Sequence, residues 1–191
     1  MLKLERIEKM TDWNEHVERI LLDEEEIKET VARLAAQIDA DYADMGNVVL
    51  VGVLKGSIAF MADLMKAMKI PASIDFMRVS SYGDSTTSSG NVNIVLDLNR
   101  KTLPNENLII IEDIVDSGRT LKYLVNYLLN KGAKSVRTVT LLDKPSRREV
   151  DFTPEYVGKQ IDNHFVIGYG LDYSEKYRTL PYVGVIKPEY I

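Results

Sequence analysis

Leu108 to Thr120 reads LIIIEDIVDSGRT: four apolar residues, two adjacent carboxylates at Glu112 and Asp113, then Asp116 leading into Ser117, Gly118, Arg119 and Thr120. Small residues before a helix leave backbone N–H groups pointing outward at the positive end of the helix dipole, which suits a phosphate. Phosphate alone would be repelled by three acids, so the ligand must also carry groups that carboxylates welcome. Vicinal hydroxyls can donate to them, and a hydrated Mg²⁺ can be ligated by them. A sugar phosphate with a metal meets both demands. The same residues also fit an Asp helix cap with two surface acids at a strand end, and the stretch alone leaves both readings open.

The elements that must position these residues follow from pattern. Asp23 and Glu26 form a capping-box signature, and Ile27, Val31, Leu34, Ala35 and Ile38 recur at helical spacing, predicting a helix over 22–42. NVVLVGVL (47–54) has no polar face, as a strand covered on both sides requires, and leads through KGS into a helical pattern over 58–68. Pro71 breaks that helix, SIDFMRVSS (73–81) and VNIVLDL (92–98) read as strands, and between them lies the low-complexity patch GDSTTSSGN (83–91). LIII (108–111) is another covered strand, 121–129 a helix stopped by Lys131 and Gly132, and VRTVTLLD (136–143) a further strand. Beyond about residue 151 come two short strand patterns, in 165–173 and 182–186, without a helix. Alternating strands and helices imply an α/β fold with a parallel twisted sheet flanked by helices, whose ligands sit beyond the carboxyl ends of the strands. Glu112 and Asp113 fall at such an end, and adjacent strand residues face opposite ways, so the backbone is expected to leave the strand there if both are to reach one ligand.

At 191 residues, 45% hydrophobic and 28% charged, the chain suits one domain, 1–191, with a core of about 20–150 and a small C-terminal hood over 151–191, open to an N-terminal contribution. A net charge of −5 argues against nucleic-acid binding while leaving room for a local basic pocket. Without cysteine there is no disulfide, thiolate nucleophile or cysteine metal site, and only His16 and His164 offer imidazole. The N-terminal MLKLERIEKM lacks a signal-peptide core and no apolar run could span a membrane, so cytoplasmic residence is expected. GxxxxGK[ST], GxGxxG, HExxH and GxSxG are all missing, together with the chemistries they serve.

Taken together, the motifs resemble those of a known family. IIIEDIVDSGRT resembles the phosphoribosyl pyrophosphate signature of type I phosphoribosyltransferases, and VGVLKGSIAFMADL, SSYGDSTTSSG, LLDKPSRR and FVIGYGLDYSEKYR resemble the pyrophosphate loop, the mobile loop and the purine-binding parts of the 6-oxopurine branch. The likeness covers nearly the whole chain from about residue 20. It implies Mg²⁺ dependence, transfer of ribose 5-phosphate to N9 of hypoxanthine or guanine with pyrophosphate leaving, and a homodimer or homotetramer. Carried to this sequence, it implies that Glu112 and Asp113 hold the ribose hydroxyls and the metal, and that Asp116 shares the purine N7 proton. It gives the 5-phosphate to the amides and hydroxyls of residues 116–120, with Arg119 exposed. Lys55, Gly56 and Arg178 would meet the pyrophosphate, across a Leu54–Lys55 peptide strained into cis. Lys144 would donate to the purine O6 and so reject adenine. Phe165 would stack on the base, Val166 offer backbone groups to its edge, and Asp172 lie near its exocyclic side and a second Mg²⁺. Ser81 and Tyr82 would open a loop, mobile when empty, that closes over the reacting centre to exclude water. Each residue also has a plain structural reading: KGS as a strand-to-helix turn, KPSRR as a solvated loop, FVIGY as a core strand, Asp172 as a turn residue. A transferase preferring xanthine or a pyrimidine, and an RNA-binding regulator on the same fold, are the competing functions; the acidic net charge argues against the latter.

Overall fold

A computed structural model describes residues 12–81, 92–100 and 103–191. Its elements in chain order are β1 (Val17–Leu22), α1 (Glu24–Tyr42), β2 (Val48–Val53), α2 (Ile58–Ala67), β3 (Ala72–Ser81), β4 (Val92–Leu96), β5 (Asn107–Val115), α3 (Arg119–Asn130), β6 (Ser135–Asp143), β7 (Tyr156–Gln160), β8 (Val166–Ile167) and β9 (Val183–Ile186). Six strands form one sheet in the order β4-β3-β2-β5-β6-β7, parallel except for β4, which runs antiparallel on the edge. The other three form a small sheet, β1-β9-β8, that makes the hood.

The strands without a polar face are covered on both sides, as their composition requires. Side chains alternate across the sheet: Leu50, Ile109, Ile111 and Leu141 pack under α1 and α2, whereas Val49, Val51, Leu108 and Ile110 pack under α3. The Asp23 carboxylate accepts from Glu26 N–H while Glu26 accepts from Asp23 N–H, so the capping box starts α1 at Glu24 rather than at Leu22. Leu22 instead closes β1, which pairs antiparallel with β9 more than 150 residues later; the hood thus draws its edge strand from the N-terminus.

Two further boundaries depart from expectation. β7 lies in the segment assigned to the hood, yet it pairs parallel with β6 and completes the large sheet, with Gly158 lying against the Leu141 carbonyl where a Cβ could not fit. The backbone of β5 does not leave the sheet after Ile111. Its ladder to β2 ends there, opposite Gly52, while its ladder to β6 continues through Glu112 and Ile114 to Val115. Tyr82 and the patch 83–91, expected to be a mobile loop, lie outside the described residues; Ser81 ends β3.

Candidate active site

β2 turns away at Leu54 while β5 runs on, so the last residues of β5 are paired on one side and open on the other. Into that opening faces a cavity of about 490 Å³ at the carboxyl edge of the parallel strands. Glu112 and Asp113 line it from β5, and Lys55 and Gly56 from the loop after β2. Asp116, Ser117, Gly118 and Thr120 line it from the turn into α3, and Asp172 and Arg178 from the hood. A larger cavity, about 600 Å³, lies between α1, α2 and Tyr169; its walls are chiefly aliphatic, and it holds none of the candidate site residues read from the sequence.

The loop after β2 is closed by buried Ser57, whose hydroxyl donates to the Val53 carbonyl at 2.6 Å. The Leu54–Lys55 peptide within it is cis, as the resemblance implied. A Cβ at Gly56 would overlap the Asp113 carboxylate, so a larger residue there would push that acid out of its place. Among the described residues neither Glu112 nor Asp113 forms an ion pair. Both carboxyls are raised above their ordinary range, Glu112 well above it, because burial penalises the charged form and, for Glu112, because the neighbouring Asp113 charge adds to that penalty. A pair of acids so placed fits a divalent cation, which supplies the missing counter-charge and draws its other ligands from water or phosphate oxygens.

Gly118, not Asp116, is the N-cap of α3; it adopts φ +78° and offers no side-chain cap, which removes the Asp-cap alternative. The first-turn amides of α3 are therefore left for a ligand, apart from Arg119 N–H, which reaches Ser117 Oγ at 3.3 Å. Arg119 itself points outward and pairs with Glu149 at 2.7 Å. Lys144, buried to 6% exposure, brings its ammonium to 3.7 Å from Asp116. Its own N–H donates to the Val115 carbonyl at 2.9 Å.

One part of this site escaped the sequence. Arg148 donates from Nη1 to the Asp116 carbonyl and from Nη2 to buried Asp143, and Glu149 N–H donates to the Ser117 carbonyl at 3.0 Å. The loop after β6 thereby holds the loop after β5 by its backbone. In sequence Arg148 looked like one cation among several in KPSRR; only the pairing of β5 with β6 brings it over Gly118, where a Cβ would stand 2.8 Å from Arg148 Cδ.

On the hood, Arg178 donates to the Gly170 carbonyl at 2.7 Å and pairs with Asp172 at 2.8 Å. Phe165, Val166 and Lys144 do not line the cavity. Phe165 is 60% exposed, and Val166 is buried in β8 against β9.

A phosphoribosyl transferase domain model matches residues 18–174, a span containing the β5–α3 turn and the loop after β2. The chain belongs to the phosphoribosyltransferase family. This family member is 49% identical, over 90% of its length and 94% of the relative's, to a hypoxanthine-guanine phosphoribosyltransferase of Bacillus subtilis. It is also 49% identical to the bifunctional protein TilS/HprT of Listeria innocua, of which it spans only 26%. The crystal structure of a hypoxanthine phosphoribosyltransferase from Staphylococcus aureus superposes with a TM-score of 0.88 at 46% identity, covering 95% of this chain and 98% of the other. The α/β fold with a parallel sheet flanked by helices is thus that of the family. Among the described residues no helix is long and apolar enough to cross a membrane.

Proposed function

We propose that the protein makes IMP or GMP plus pyrophosphate from hypoxanthine or guanine and 5-phosphoribosyl 1-pyrophosphate, a salvage reaction of the cytoplasm carried out by a homodimer or homotetramer. One observation carries it: unpaired carboxylates, an uncapped helix N-terminus and two cations from separate loops line a single cavity of about 490 Å³. Few ligands other than a phosphorylated, pyrophosphorylated sugar would use all three.

The α3 amides and the Ser117 and Thr120 hydroxyls bind the 5-phosphate, and Lys55, the Gly56 amide and Arg178 bind the leaving pyrophosphate. Glu112 and Asp113 accept from the ribose hydroxyls and hold Mg²⁺, with Asp172 as ligand to a second ion; the metal, when bound, neutralises charge on the leaving group. Asp116 shares the proton at purine N7, and the adjacent Lys144 ammonium donates to O6. An adenine amino group at that position would set donor against donor, so Lys144 selects 6-oxopurines. Phe165 stacks on the base and Val166 offers its backbone to the base edge.

The test is a panel of hypoxanthine, guanine, xanthine, adenine and uracil with 5-phosphoribosyl 1-pyrophosphate and Mg²⁺, read as nucleotide formed. Turnover of hypoxanthine or guanine is expected, falling by about 10²- to 10⁴-fold in Asp116→Asn with binding retained. Finding no IMP or GMP from the wild-type protein would defeat the proposal.

A further inference from the structure

Between Asp172 and Arg178 the hood makes a two-residue hairpin that the proposed chemistry does not explain. Tyr173 and Lys176 exchange backbone hydrogen bonds at 3.4 and 3.1 Å, and the residues between them, Ser174 and Glu175, adopt φ +52° and +63°. With both central residues left-handed, this is the primed turn that sequences normally fill with Asn-Gly. Glutamate at the second position is disfavoured, because its Cβ crowds the following carbonyl. Local backbone preference therefore gives no reason for Glu175.

Its side chain does give one. Glu175 Oε2 lies 3.0 Å from Lys55 Nζ and 3.3 Å from Arg178 Nη2. These two cations come from separate loops, and a single carboxylate oxygen bridges them as a pyrophosphate oxygen would. We propose that Glu175 is a resident anion, occupying the cations of the pyrophosphate subsite while that subsite is empty and displaced when pyrophosphate or the pyrophosphoryl end of the donor binds. The inference rests on the assignment of Lys55 and Arg178 to pyrophosphate made above.

Two observations accord with a displaceable role. The Glu175 side chain is 64% exposed, so it can swing into water without disturbing the core. Arg178 Nε is buried without a hydrogen-bond partner, so the guanidinium is incompletely satisfied while it faces Glu175 and Asp172. A built-in competitor weakens the hold on pyrophosphate, which favours release of the product. Were Glu175 instead a brace that pre-orients the two cations, or a ligand for Mg²⁺, its loss would weaken pyrophosphate binding. The two roles differ in sign.

Titration calorimetry with inorganic pyrophosphate and Mg²⁺ on the full chain decides between them. Exposed ion pairs are weak, so Glu175→Gln, which removes the charge and keeps the size, is expected to tighten pyrophosphate binding by about two- to fivefold, the gain shrinking as salt is raised. Glu175→Gly is expected to show the same tightening together with a higher melting temperature, since glycine suits the turn. Unchanged or weaker binding in Glu175→Gln overturns the proposal. Lys55→Ala and Arg178→Ala separate this failure from a deeper one. If they weaken pyrophosphate binding while Glu175→Gln does not tighten it, only the resident-anion role falls. If neither weakens it, the pyrophosphate subsite and this inference fall together.

Discussion

Glu112 and Asp113 are side by side at the end of a buried strand with no cation paired to either among the described residues, so charge is unfavourable at the point where the metal and ribose are proposed to bind. The consequence can be measured through pH. A carboxyl whose folded pKa lies above its unfolded value keeps a proton that the unfolded chain has already released. Stability therefore falls as pH rises from the ordinary carboxylate range toward the raised value, and stays lower above it. Glu112→Gln removes that titration. Its melting temperature is expected to exceed that of the wild type at pH 8 by more than at pH 4, while nucleotide formation drops sharply. Added Mg²⁺ should stabilise the wild type and not the variant. A melting-temperature difference independent of pH would mean that Glu112 carries no raised pKa. Sequence exposed the acids themselves, because three carboxylates after four apolar residues are conspicuous. Their missing counter-charge was not legible, since it depends on what every other loop brings to that edge.

At the scale of elements, the sequence marked strands and helices wherever a two-sided apolar run or a helical stripe announced them, as in β2, α2 and β6. It failed where pairing rather than composition makes the strand. VERILL in β1 and YVGKQ in β7 are short and mixed in polarity, and each is a strand because a distant partner, β9 or β6, offers an edge. The Arg148 clamp fails to show in sequence for the same reason. Its guanidinium ties the carbonyl of Asp116 to buried Asp143, so two loops that carry the proposed N7 and O6 contacts act as one piece. Arg148→Met is expected to cost about 3 kcal/mol of folding stability by leaving the Asp143 carboxylate buried without its partner, and to raise KM for 5-phosphoribosyl 1-pyrophosphate. Replacing both residues by apolar ones, Asp143→Leu with Arg148→Met, should recover much of the stability by removing the orphaned charge. KM should stay high in the double variant, because nothing then holds the Asp116 carbonyl. If KM recovers along with stability, Arg148 matters for folding alone.

For the molecule as a whole, the proposed function requires the hood to be seated on the large sheet, since Asp172 and Arg178 reach the cavity from there. Two contacts near the site help to seat it, beside the Lys55–Glu175 ion pair. Tyr169 donates to Asp63 on α2 at 2.7 Å, and Gly170, at φ +95°, lies so close to the Gly56 carbonyl that a Cβ would overlap it. Gly132, after α3, adopts nearly the same backbone conformation, φ +96°, but nothing lies within 4 Å of the point where an added Cβ would stand. The pair separates backbone strain from close packing. Gly132→Ala carries only the left-handed penalty, about 1 kcal/mol, or roughly 2–4 °C in Tm for a domain of this size, with turnover unaffected. Gly170→Ala carries the same strain plus an overlap with backbone that cannot rotate away, about 1–3 kcal/mol more. Relief can come only by lifting the hood from the loop after β2, which moves Arg178 away from Lys55. Gly170→Ala is therefore expected to lose affinity for pyrophosphate and most of its turnover in addition to its greater loss of Tm. Equal melting and equal kinetics in the two variants would show that the hood is not held in register by this contact, and that the two cations of the site are brought together by other means.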